Sequence, residues 1–148
     1  MSSFLDPLRI EAVEGSDRQF KILEPFRYWI DELHKGPVIT VTEGFITDFA
    51  SVPRILWAIF PPYGRYGKSA VVHDWLYKTG MYDKKRCDEI FLEAMEVRGV
   101  SWITRNTLYY AVRVFGFIAW NKHRKADLAN PLKSITLTRQ FTVKDERY

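Results

Sequence analysis

His73, Asp74 and Tyr77 stand together in AVVHDWLY (Ala70–Tyr77), the segment where this chain concentrates residues able to do chemistry. On a helix, His73 and Tyr77 are four apart and share a face, while Asp74 lies about 100° round. Imidazole titrates near neutral pH and suits general-base work or metal ligation. A carboxylate beside it can hold a hard cation or orient the ring. Two other segments add acids. CDEIF puts Asp88 early in a following helix, and TDFASVPR supplies Asp48 and Ser51 at a strand-to-helix junction, a common place for functional side chains. The candidate site is therefore His73, Asp74, Tyr77, Asp88 and Asp48.

Three chemistries could use these groups. In one, His73 activates a water and Asp74 binds a cation that polarises an ester or phosphate. In another, Ser51 is a nucleophile with His73 as base and Asp48 or Asp88 as orienter. Ser51 reads better as a helix cap, and no G-x-S-x-G elbow surrounds it. In the third, His73, Asp74 and Asp48 or Asp88 hold a transition metal, although His34 and His123 lie in polar or basic context away from them. The architectural alternative is that His73 and Asp74 face the core and are satisfied by backbone and a basic partner. Arg113 interrupts an apolar face between Tyr110 and Phe117. A buried arginine needs a carboxylate, and Asp74, Asp88 or Asp48 could provide it.

The elements that must position these groups follow from pattern. Phe20–Ile30 and Val38–Phe49 are rich in aromatic and β-branched residues and predict a hairpin, with Pro25 splitting the first strand or forcing it to an edge. Val38, Thr40 and Thr42 alternate with Ile39 and Val41. A short helix follows Pro53 and stops at Pro61-Pro62. A second runs from about Lys68 to Lys78 and ends at Gly80, and a third runs from Asp83 to about Arg98. Cys87, Ile90, Phe91, Ala94 and Met95 form the third helix's apolar stripe, with Cys87 an inert core thiol. Ser101 caps one long helix to about Lys125, apolar on most sides and expected at the buried centre. Trp57, Trp75, Trp102 and Trp120 are expected to pack. Ile135 and Leu137 alternate with Thr136 and Thr138 in a strand expected to return to the hairpin. The expected fold is α+β, one domain over 1–148: a small antiparallel sheet (N-terminal hairpin plus C-terminal strand) beside three main helices and a short one.

Composition bounds what such a chain can be. At 148 residues, 47% hydrophobic and 27% charged, it suits one globular core. A single cysteine excludes an internal disulfide framework and fits a reducing compartment. Asp6, Glu11, Glu14 and Asp17 are unlike a secretory signal, and Val114–Trp120 is too short an apolar run to span a membrane. The expected chain is soluble and not exported by the ordinary route. Charge is uneven. Residues 1–60 hold six Lys/Arg against nine Asp/Glu, whereas residues 100–144 hold eight against Asp127 alone. That basic third could face phosphate, an anionic membrane or an acidic partner, or be a solvated surface. No nucleic-acid motif accompanies it, so a nucleic-acid partner is not expected.

The run EGFITDFASVPRILWAIFPPYGRYGKSAVVHDWLY (Glu43–Tyr77), followed by an acid in the next helix, resembles a phage and prophage family known as domain of unknown function 1353. The resemblance implies a bacteriophage or prophage origin, synthesis in the host cytoplasm with incorporation in the virion as an option, and other phage proteins as partners, and it implies no established activity. A shorter phrase, HDxxY (His73, Asp74, Tyr77) with CDxxF (Cys87, Asp88, Phe91), is similar to the paired active-site helices of secreted calcium-dependent phospholipases. That similarity implies His73 activating water, Asp74 ligating calcium, and Tyr77 and Asp88 supporting His73. The upstream PPYGRYGKS is not the glycine- and cysteine-rich calcium loop of those enzymes. The expectation is a virion-associated or assembly component with a structural or interaction role. The alternative is a small hydrolase of an ester in lipid or cell-envelope material, docked on anionic lipid, with His73 as general base.

Overall fold

A computed structural model describes residues 3–30, 36–49, 52–61 and 64–132. Strands and helices are segregated along the chain, which makes the fold α+β. Pro25 divides the first β segment as expected, and the two halves go to different sheets. β1 (Ser3–Phe4), β4 (Phe26–Trp29) and β5 (Val38–Val41) form one antiparallel sheet in the order β1-β4-β5. β2 (Ile10–Ala12), β3 (Phe20–Ile22) and β6 (Ile46–Thr47) form the other in the order β2-β3-β6. The hairpin pairs Phe26 with Val41 and Trp29 with Val38. Its alternation is as read: Ile39 and Val41 are buried while Thr42 is exposed.

One expected sheet is thus replaced by two. β1 and β2 are two and three residues long, too short to carry a period-two signature. Arg27 ties the N-terminal segment down by bonding Asp6 through its Nε (2.8 Å) and its backbone N–H (3.0 Å). The C-terminal strand expected around Ile135–Lys144 lies outside the described residues, as do the cap role of Ser51 and the loop histidine His34. The short helix after Pro53 is a 3-10 helix, Arg54–Ala58.

The helices are α1 (Gly67–Thr79), α2 (Lys84–Val97), α3 (Trp102–Phe115) and α4 (Phe117–Ala129). Their ends follow the capping signals. Gly80 takes the left-handed conformation at φ 62°, Asp83 accepts the Arg86 N–H, and Ser101 accepts the Thr104 N–H. The apolar stripe of α2 is buried throughout, Cys87 included, and burial pushes that thiol up to about 12.

Two expectations about the last helices fail. The long helix is two, broken at Gly116, where an added Cβ would come within 2.5 Å of the Tyr77 hydroxyl and 2.3 Å of the Val112 carbonyl oxygen. Nor is it the buried centre, because α3 and α4 bury only Leu108, Val112 and Ala119. That place belongs to α1, which packs on α2, α4, β5 and β6 and buries every residue from Ser69 to Tyr77. Trp75 packs as expected and Trp57 and Trp120 partly, while Trp102 is 68% exposed. Apolar content alone could not tell α1 from α3, since both carry enough to be a core helix.

Candidate functional site

Because α1 is surrounded, its polar residues must find partners inside the protein. Neighbouring positions solve this on opposite sides. His73 faces α2 and Asp74 faces the end of β6.

The α2 side centres on Asp88, which is fully buried. The short Gly80–Asp83 connection sets α1 against α2, and one turn into α2 the Asp88 carboxylate meets both helices' polar groups. Its Oδ1 lies 2.8 Å from His73 Nε2 and accepts the Tyr77 hydroxyl at 2.6 Å. Its Oδ2 accepts Lys84 Nζ at 2.8 Å and Arg113 Nη1 at 3.1 Å. An ionised carboxylate can only accept, so Nε2 of His73 carries the proton. Phe91 stacks on the imidazole at 4.7 Å between ring centres.

Burial pushes the Asp88 carboxyl upward, but the hydrogen bonds from His73, Lys84 and Tyr77 and the nearby positive charge outweigh it. The net result is a pKa lowered to about 2. Burial, reinforced by the Asp88 charge, pushes the Tyr77 phenol well above its ordinary range. Lys84 also donates to the carbonyls of Val112 (3.0 Å) and Arg113 (3.3 Å), placing an ammonium at the negative end of α3. Arg124 of α4 does the same for α1, donating to the Tyr77 and Lys78 carbonyls at 2.8 and 3.1 Å. One carboxylate and three cationic side chains, Lys84, Arg113 and Arg124, therefore lock all four helices together.

On the other side, Asp74 Oδ2 accepts the Thr47 hydroxyl and the Phe49 N–H, the latter at 2.9 Å. Phe49 sits at φ 52°, a region bulky residues avoid at a cost of roughly 1–3 kcal/mol. Asp74 holds that bend in place. Its hydrogen-bond donors also bear on the calcium reading. A calcium ion takes roughly 6–8 oxygen ligands. Here two donors occupy one carboxylate oxygen, and no group of three His, Cys, Asp or Glu suited to a metal exists among the described residues. Those two bonds commit Oδ2 of Asp74 to Thr47 and Phe49.

The chain thus brings His73, Tyr77 and Asp88 together, with Arg113 paired to Asp88 as one of the expected choices. Asp74 is the next residue but turns away. Asp48 lies within the same bend, between Thr47 and Phe49, half-buried, where its charge acts on His123 of α4. Sequence reasoning missed Lys84, although its i,i+4 spacing to Asp88 is a readable signal. It also missed Thr47, Gly116 and Ser69, whose buried hydroxyl has no hydrogen-bond partner among the described residues. Those three have no sequence signature, because each matters only through what packs against it.

His73 and Asp88 are 0% exposed, Tyr77 and Lys84 are buried as well, and Arg113 is the most exposed of the groups bonded to Asp88. A surface hollow lies elsewhere, between Phe60, Arg65, Tyr66 and Val100, and none of the five candidate residues lines it. Fold and site together define a small α+β protein whose helical half is pinned by a closed, buried His-Tyr-Lys-Arg cluster on one aspartate. The family model described as protein of unknown function, DUF1353, matches residues 20–112, more than half of the chain, and the chain belongs to that family. No curated protein and no solved structure matches it.

Proposed function

We propose that this protein is a bacteriophage or prophage component with a structural or interaction role, virion-associated or acting in assembly. The observation that carries the reading is an inversion of polarity. The polar cluster is sealed inside, whereas large apolar side chains of α3 and α4 lie outside, Ile118 at 78% exposure among them. A sealed cluster stiffens a scaffold, and an exposed apolar face is what a docking protein offers. Purified phage particles test it: the chain should co-purify with particles or their assembly intermediates. Particles that lack it and form normally in its absence would overturn the reading.

A second reading is favoured by one specific observation. Asp88 Oδ1 receives both His73 Nε2 and the Tyr77 hydroxyl, so the imidazole is held by a carboxylate as acid–base catalysis requires. An ester hydrolase with His73 as general base would have to open this buried site to admit substrate. The test is hydrolysis of phospholipid and simpler esters by wild type and His73→Asn. Activity lost from a folded variant supports the enzyme. Absence of activity in the wild type removes it.

A further inference from the structure

The outer face of α3 and α4 has a composition that selects among possible surfaces. Along α3, Ile103, Tyr110 and Val114 recur at helical spacing on the exposed side, with Trp102 beside them at the start. Along α4, Ile118, Lys122, Lys125 and Leu128 are all exposed and follow one another at steps of three or four residues. Lysines therefore lie within the apolar stripe and not only at its border.

Protein–protein interface cores are depleted in lysine. A bilayer surface suits the mixture better. Aliphatic side chains and lysine stems enter the headgroup boundary, the ammonium groups reach back to phosphate, and Trp and Tyr rings sit at the polar edge. The sign of charge agrees. Asp127 is the one acid between 102 and 132 and is paired with Arg124 at 3.0 Å, while Arg113 is paired with Asp88 and Arg105 with Glu96, so the charge the outer face presents is that of exposed Lys122 and Lys125. No helix among the described residues is long and apolar enough to cross a membrane, so this face would lie on the bilayer.

We infer that the α3–α4 face docks on an anionic lipid bilayer. The inference rests on the reading of this face as a docking surface and names what it docks on. The full chain is to be sedimented with vesicles of phosphatidylcholine alone and of phosphatidylcholine mixed with phosphatidylglycerol. Binding to the anionic vesicles should exceed binding to the neutral ones and weaken with salt. Lys122→Glu with Lys125→Glu should cut it by about tenfold or more. Ile118→Asp should cut it by a similar factor at unchanged charge-independent stability, checked by urea unfolding. Failure of the wild type to bind anionic vesicles overturns the inference, as does equal binding by all three chains. Incorporation into particles is read separately. Particles that hold wild type and exclude Ile118→Asp keep the docking reading even where vesicle binding fails, and assign the face to a protein partner.

Discussion

The two helix pairs of this protein invert each other. α1 and α2 carry His73, Asp74, Tyr77, Lys84 and Asp88 into the interior and satisfy them there. α3 and α4 leave Trp102, Ile103, Tyr110, Val114 and Ile118 in solvent. Burial of polar groups is costly unless every bond is made, and exposure of large apolar groups forgoes the main driving force of folding. Each pair bears the cost that the other avoids. The difference teaches that α1–α2 is where the fold is specified, and that α3–α4 is held on it by a few anchors: Leu108, Val112, Ala119 and the links through Lys84, Arg113 and Arg124.

The contrast can be broken most forcefully at its centre. Asp88→Ala leaves Lys84 charged and buried and removes the acceptor of His73, Tyr77 and Arg113. A loss of about 3–5 kcal/mol is expected in urea unfolding, and a loss near zero would show the cluster is not what pins the helices. Gly116→Ala attacks the joint between the pairs. Its methyl group meets the Tyr77 hydroxyl and the Val112 carbonyl, and accommodating it should cost about 1–3 kcal/mol by thermal or urea melting.

Acid probes the same centre without mutation. The Asp88 pKa falls from 3.8 to about 2 on folding. A depressed carboxylate contributes stability that is present above its unfolded value and lost as pH falls through the folded one. Asp88 therefore contributes about 2 kcal/mol above pH 4, disappearing between roughly pH 4 and pH 2. In Asp88→Asn that part of the acid dependence should be missing. The smallest effect belongs to the outer face: Ile118→Asp should change stability by less than about 0.5 kcal/mol. A larger loss would mean that α4 is packed against something within the chain.

Much of this was legible beforehand. The ends of α1, α2 and α3 follow from Gly80, Asp83 and Ser101, because a cap is a local interaction between residues a few positions apart. The α2 stripe and the β5 alternation were equally plain, since burial on one face imposes a period. The meeting of His73, Tyr77 and Asp88 was readable too. A short connection between two helices leaves few ways to pack them, so residues on facing sides of α1 and α2 come together.

What sequence could not convey was which apolar helix is central. The segment from Ser101 to Lys125 is rich in apolar residues, yet α1, with a histidine and an aspartate in it, took the interior. Hydrophobicity measures what a helix would gain from burial, whereas the position it occupies depends on how many neighbours surround it. The turning of Asp74 toward Thr47 and Phe49 was equally out of reach, because those partners are brought by strand placement across a gap of more than twenty residues.

By itself, then, the order of residues determined the local elements, their caps and the pairing across the tight α1–α2 turn, all interactions of short range along the chain. Tertiary structure alone decided that the histidine is sealed and not wet, that Asp88 serves four donors while Asp74 clamps a strained bend on the opposite side of α1, and that the apolar face of α3 and α4 points outward. The physical reason is that solvent access and hydrogen-bond satisfaction are properties of an environment, and an environment is assembled from residues distant in the chain.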